Sequence, residues 1–278
     1  MRWMARRARR TTRAARVLVL AFAAAATYGL VMLVPSYVGA AAITADHVTA
    51  ATPSPKPAVT QGTGTPFGGT SAVGALFSVS DGQLGTHFCS ASVVHSPHGD
   101  LAVTAAHCMT GVEGQVAFVP GYDNGKKPDG TWTVTAVYTD QAWQSSQNPD
   151  DDVAFLRLAP NTGGATVERV TGAESLGINA KVPALVRVIG YPDSDDQPIS
   201  CVNYAKSFSG SQLEFDCAAY EDGTSGGPFL TGMTASRHGT VIGVIGGYEQ
   251  GGDTPDVSYA AVFGSQVAAL YRTAVAGS

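Results

Sequence analysis

Residues 221–230 read EDGTSGGPFL. A serine, Ser225, sits among three glycines, Gly223, Gly226 and Gly227, and Pro228 closes the run before Phe229 and Leu230. Glycine-rich turns are common in loops, so the stretch alone does not separate a simple turn from a reactive centre. A serine hydroxyl is a weak nucleophile unless a base takes its proton and a third group orients that base. Where those partners lie in the chain, and in what order, decides both the chemistry and the fold.

The chain has 278 residues, enough to bury a substantial core, and only 14% of them are charged. Charge is unevenly spread. Residues 1–42 carry seven arginines and no acid, whereas residues 43–278 carry 10 Lys and Arg against 22 Asp and Glu, a net charge of −12. A body that acidic repels phosphate backbones, which excludes nucleic acid as a partner.

The N-terminus accounts for the asymmetry. MRWMARRARRTTRAAR is a basic leader, Val17–Val34 is an uncharged apolar run, and small residues follow around Ala40–Ala42. This is the layout of a secretory signal, so residues 1–42 read as a signal peptide and the body as secreted. The alternative is an uncleaved anchor, with a membrane contact through this run alone and the body still outside the cell. Residues 43–66 are Pro/Thr-rich and lack periodicity, as in a propeptide or stalk. Residues 67–278 are then the functional domain, expected to act as a monomer.

Four cysteines, Cys89, Cys108, Cys201 and Cys217, lie in the exported part. An even count outside the cell favours two disulfides, and nearest-neighbour pairing gives Cys89–Cys108 and Cys201–Cys217. Each closes a short loop and contributes on the order of 3 kcal/mol through the unfolded state. Two histidines, His87 and His107, lie near the first two cysteines, but the chain has no C-x-x-C pair, and no metal site is expected.

From residue 67 onward, short apolar or alternating runs recur between Gly, Pro, Asp and Asn clusters: SAVGALFSV, HFCSASVV, LAVTAA, QVAFV, TWTVTAVYT, DVAFLRL, ALVRVIGY, QLEFDCA, GTVIGVIGG and DVSYAAVF. Many short strands separated by turn signals imply an all-β barrel or sandwich. The one helix the pattern predicts is the tail, FGSQVAALYRTA, where Phe263, Val267, Leu270 and Tyr271 share a face.

Two of these runs carry the missing partners. LAVTAAHC ends a strand at His107, and NPDDDVAFLRL leads three acids into a strand with Asp152 adjoining it. Asp152 therefore points inward, while Asp150 and Asp151 are expected to be exposed. Acyl transfer needs a serine, an imidazole and a buried carboxylate that fixes the imidazole tautomer, and Ser225, His107 and Asp152 supply them. The turn at Gly223–Ser225 can also present the amides of Gly223 and Ser225 to a developing oxyanion. Gly223-x-Ser225-x-Gly227 fits the elbow of α/β-hydrolases as well, but that fold places its acid and then its histidine after the serine. Only His238 follows, 13 residues on, without alternating strands and helices, so the elbow reading fails on order.

In VTAAHC with the upstream FCSASVV, in DVAFLRL and in DGTSGGP, taken in that order, the chain resembles the chymotrypsin/trypsin-like serine proteases, and most closely their secreted bacterial branch. The resemblance covers roughly residues 67–275. It implies two six-stranded antiparallel β-barrels with a C-terminal helix and a site in the cleft between them. His107 and Asp152 would then come from the first barrel and Ser225 from the second. It also implies a secreted endopeptidase acting on proteins or peptides through an acyl-enzyme, with no cofactor. Two alternatives stand beside this one. One is a binding protein that uses the barrels without turnover; the other is an acyl-ester hydrolase at the same site.

The sequence departs from the family pattern in two places. Thr224 stands where the family usually has an Asp that pairs with a newly cut N-terminus, and no matching Ile-Val-Gly-Gly segment is present. A carboxylate there would be buried without a partner, whereas a threonine hydroxyl can bond locally. In the pocket, Ala219 stands where basic-specific members carry Asp, and Gly246-Gly247 where the family often has Ser-Trp. Ile245 stands where Glu-specific relatives carry His. By resemblance Ala219, Gly246 and Gly247 bind substrate in an open pocket for small or apolar side chains, with a basic preference close behind and Asp256 as a further candidate wall.

Overall fold

The computed structural model describes residues 61–235 and 237–277. The leader and apolar run, and the part of the 43–66 segment before residue 61, lie outside the described residues. Within them strand is the main regular structure, as the alternation predicts.

The first six long strands form one closed antiparallel barrel: β3 (Val73–Ser80), β4 (Gln83–Val94), β5 (Leu101–Thr104), β6 (Gln115–Pro120), β7 (Trp132–Thr139) and β8 (Ala154–Leu158). Their order around the barrel is β3-β4-β5-β8-β7-β6. Closure leaves no free edge, and Leu76, Phe118, Phe155 and Leu156 are all fully buried.

The second half is a sheet of six antiparallel strands: β10 (Ala184–Gly190), β11 (Ile199–Ser207), β12 (Gln212–Phe215), β14 (Pro228–Thr231), β15 (Thr240–Val244) and β16 (Ser258–Ala261). They pair in the order β16-β12-β11-β10-β14-β15, and β9 (Ser175–Leu176) adds in parallel beyond β15. A bond from the Gly246 amide to the Tyr259 carbonyl, 2.9 Å, draws the β15 and β16 ends together. β11 alternates cleanly: Ile199, Cys201 and Ala205 face a core with Phe215 and Phe229, while Val202 and Tyr204 face out.

The folded body begins earlier than residue 67. β1 (Gly62–Thr63) pairs in parallel with β13 (Cys217–Ala218), and β2 (Thr65–Pro66) pairs with β11 through Ser200 and Ile199. Two-residue strands of Gly, Thr and Pro carry no hydrophobic pattern, so only backbone pairing reveals them.

The tail is a helix, α3 (Ser265–Ala276). Val267, Leu270 and Ala274 are buried in the same cluster as the first barrel's core, and the Tyr271 ring meets Phe155 edge-on at 5.6 Å. Two further helices, α1 (Gln141–Ser146) and α2 (Val167–Thr171), escaped the sequence pattern. At six and five residues neither is long enough to show a period; α1 buries Trp143 alone and starts where Asp140 accepts the Ala142 amide.

The disulfides are Cys89–Cys108 and Cys201–Cys217, with Cα separations of 6.1 and 6.5 Å. No helix among the described residues is long and apolar enough to cross a membrane.

Candidate active site

β5 is wholly buried and ends at Thr104; the chain then turns into a 3-10 turn, His107–Met109, which holds His107 at the barrel rim. The Cys89–Cys108 bond ties this turn back to β4, so the imidazole stands on a backbone fixed from two sides. Cys89, His107 and Cys108 bring sulfur and nitrogen atoms within 4.8 Å of one another. Both sulfurs are in the disulfide, which leaves no thiolate for a metal.

Asp152 ends a second 3-10 turn, Pro149–Asp151, that Asn148 caps by accepting the Asp150 amide. Its side chain is 1% exposed. A buried carboxylate needs donors, and this one has three. The His107 amide donates to Oδ1 at 2.8 Å, His107 Nδ1 donates to Oδ2 at 2.7 Å, and the Gly247 amide donates to Oδ2 at 2.8 Å. With its proton on Nδ1, the ring presents Nε2 as a base.

Ser225 lies in the turn before β14, and the first barrel holds that turn. The Ser90 amide of β4 donates to the Ser225 carbonyl at 2.7 Å. The buried Ser90 hydroxyl donates to the Gly223 carbonyl at 3.0 Å and accepts from the Tyr191 amide at 2.9 Å. Gly226, at φ +81°, passes so close to β4 and β5 that a Cβ would stand 2.1 Å from Thr104 Oγ1; only glycine fits there.

The same anchoring aims two amides. The Asp222 carbonyl accepts from Asp193 N at 2.8 Å and the Thr224 carbonyl accepts from Gly227 N at 2.9 Å. In a trans peptide the N–H points opposite to its carbonyl, so the amides of Gly223 and Ser225 point away from these bonds. Among the described residues neither amide has a protein acceptor. Thr224 itself is 1% exposed and donates to the Glu221 carbonyl at 2.6 Å, a local bond that needs no ion-pair partner.

His107, Gly223 and Ser225 line one cleft of about 930 Å³. Among the described residues no hydrogen bond joins Ser225 Oγ to His107 Nε2, and catalytic contacts of this kind often tighten only when substrate binds. The cleft's other walls are Phe88, Asp193, Tyr220–Asp222, Ile245 and residues 249–255. Asp193, Glu221, Asp222, Glu249 and Asp253 make it acidic, and no Lys or Arg lines it.

Ala219, Gly246, Gly247 and Asp256 are absent from this lining. The two glycines leave room for the carboxylate: a Cβ on Gly246 would stand 2.9 Å from Asp152 Oδ2, and one on Gly247 would stand 2.3 Å from Gln212 Oε1. Asp150 and Asp151 are half-buried rather than exposed, because Asp150 accepts from Gln212 and Asp151 from Asn148. Ser90, Gln212 and the 249–255 wall carried no sequence signal of their own, since each acts through chain far away in sequence.

A second buried carboxylate–histidine pair lies away from this cleft. Glu174, in the connector before β9, is fully buried and accepts the Gly239 amide. Its Oε1 stands 3.8 Å from His238 Nδ1, and among the described residues neither atom has a hydrogen-bond partner. Burial pushes the Glu174 carboxyl up to about 7.

A family model described as trypsin matches residues 64–264. No curated protein matches the chain significantly. Among solved structures, the protease Anisep from Arthrobacter nicotinovorans is similar at 25% identity, with a TM-score of 0.65, over 77% of this chain and 99% of that one. The thermostable serine protease AL20 from an extremophilic microorganism gives 25% identity and a TM-score of 0.65, over 75% and 99% of the two chains. A Glu endopeptidase shares the fold at 12% identity, with a TM-score of 0.61 over 78% of this chain and 99% of its own.

Proposed function

The chain belongs to the trypsin family and is a serine endopeptidase, and on that premise we propose that Ser225, His107 and Asp152 form its catalytic triad. The observation that carries the reading is the buried Asp152 carboxylate, 2.7 Å from Nδ1 of His107, which lines the same cleft as Ser225. His107 Nε2 takes the Ser225 proton as Oγ attacks the scissile carbonyl, and the Asp152 charge stabilises the imidazolium that results. The free amides of Gly223 and Ser225 receive the oxyanion. His107 then returns the proton to the leaving amine, and a water repeats the sequence to release the acyl group.

The five carboxylates on the cleft walls favour substrates with basic residues around the scissile bond. Attraction between opposite charges raises both encounter rate and residence in such a cleft. The basic preference that the sequence ranked second is therefore the one the cleft supports. The two disulfides suit an oxidising compartment, in keeping with export by the N-terminal leader.

The test is phosphonate labelling of residues 43–278, with Ser225→Ala and His107→Ala alongside. The parent labels and both variants lose it; labelling that survives Ser225→Ala would refute the assignment. A second arm compares peptides carrying Arg or Lys with their Glu counterparts, and faster cleavage of the acidic set would overturn the substrate preference. Labelling without turnover of any peptide would instead favour an ester substrate.

A further inference from the structure

We infer that Gln212 is a positioning residue for the Asp152–His107 pair: its buried carboxamide ties the turn that carries Asp152 to the segment whose Gly247 amide holds the same carboxylate. The inference rests on the triad proposed above.

Gln212 opens β12 in the second sheet and is 4% exposed. A buried amide is costly unless its donors and acceptor are bonded, and here all of them are in use. Nε2 donates to the Pro149 carbonyl at 3.1 Å and to Asp150 Oδ1 at 2.7 Å, both in the turn that ends at Asp152. Oε1 accepts from the Tyr248 amide at 3.1 Å. Among the described residues that is the one acceptor the Tyr248 amide has.

Asp152 is thus supported from two directions through one side chain. From below, Gln212 fixes the height of its turn. From the side, Gln212 fixes Tyr248 and with it the adjoining Gly247, whose amide donates to Asp152 Oδ2 at 2.8 Å. The fit is close on the Gly247 side. That residue adopts φ +79°, and a Cβ there would lie 2.3 Å from Gln212 Oε1, so amide and glycine occupy complementary space. The first barrel supplies His107 and Asp152 while the second half supplies Gln212 and Gly247, so the bridge also sets how the two halves meet behind the imidazole. Small misplacement of a catalytic group costs rate rather than affinity.

Gln212→Met keeps length and volume and removes only the amide. Turnover is measured per phosphonate-titrated site, so an unfolded fraction does not count. We expect kcat per site to fall about tenfold while KM stays within about twofold. Gln212→Glu sets a carboxylate against Asp150 and falls as well. Adding Asp150→Asn restores the bridge with its polarity reversed, and kcat returns to within about threefold of the parent. A Gln212→Met enzyme with per-site kcat within twofold of the parent overturns the proposal, as does a double variant no better than Gln212→Glu alone. A parent that takes no phosphonate overturns the triad, and this proposal with it.

Discussion

Two buried acid–histidine pairs occupy the same molecule, and they are built differently. Asp152 has three N–H donors, one of them a histidine ring at 2.7 Å; Glu174 has one donor and a histidine that stands off at 3.8 Å. Both carboxylates are almost completely buried. Burial alone therefore does not make a catalytic acid. Donors that stabilise the charge and a histidine within bonding distance turn a buried carboxylate into an orienting group. Where they are missing, burial instead favours the protonated acid, which places the Glu174 carboxyl at about 7.

The largest way to break this contrast is to exchange carboxylate for amide at each site. Asp152→Asn should lower kcat by about 10⁴, since the amide cannot hold the imidazole tautomer. Steady-state kinetics with active-site titration reads it, and a loss of less than tenfold would remove Asp152 from the mechanism. Glu174→Gln should leave kcat within about twofold, because no contact links Glu174 to the cleft.

The smaller effect is on stability, and its sign is fixed. The folded Glu174 carboxyl titrates near 7, above its ordinary value of 4.5, so the native state binds a proton more readily than the unfolded chain. Its contribution is complete below the ordinary carboxyl range and is lost as pH rises through about 7. Glu174→Gln cannot titrate. The stability difference between parent and variant should therefore shift against the parent, by on the order of 2–3 kcal/mol, from pH 5 to pH 8. Urea melts at several pH values measure it. A difference that does not change with pH would mean the Glu174 carboxyl is not raised.

The same contrast shows what the sequence made legible. HC at 107–108, DDDVAFLRL and DGTSGGP are local, because each reactive group needs a turn or strand end within a few residues of itself. The all-β character and the tail helix were legible for a related reason, since strand alternation and helical spacing are local periods. What holds the reactive groups is not local. Ser90 reaches Gly223 across 133 positions, and Gln212 reaches Pro149 across 63. At Gly246 and Gly247 the sequence offered only absent side chains. The atoms that need the space, on Asp152 and Gln212, belong to other elements. Helices of five and six residues and strands of two fell below the length at which any period can be read.

The helix α3 adds an order of events. Residues 265–276 are synthesised after everything they cover, yet Val267, Leu270 and Ala274 complete the core of the barrel made first. A half-made chain therefore exposes the face around Phe155 until α3 emerges. It also lacks the Ser225 turn and the donors of Gly247 and Gln212 until the second sheet exists. For an enzyme that digests proteins, topology thus delays the cleft itself, whose walls come from both halves, until the second half of the fold has been made.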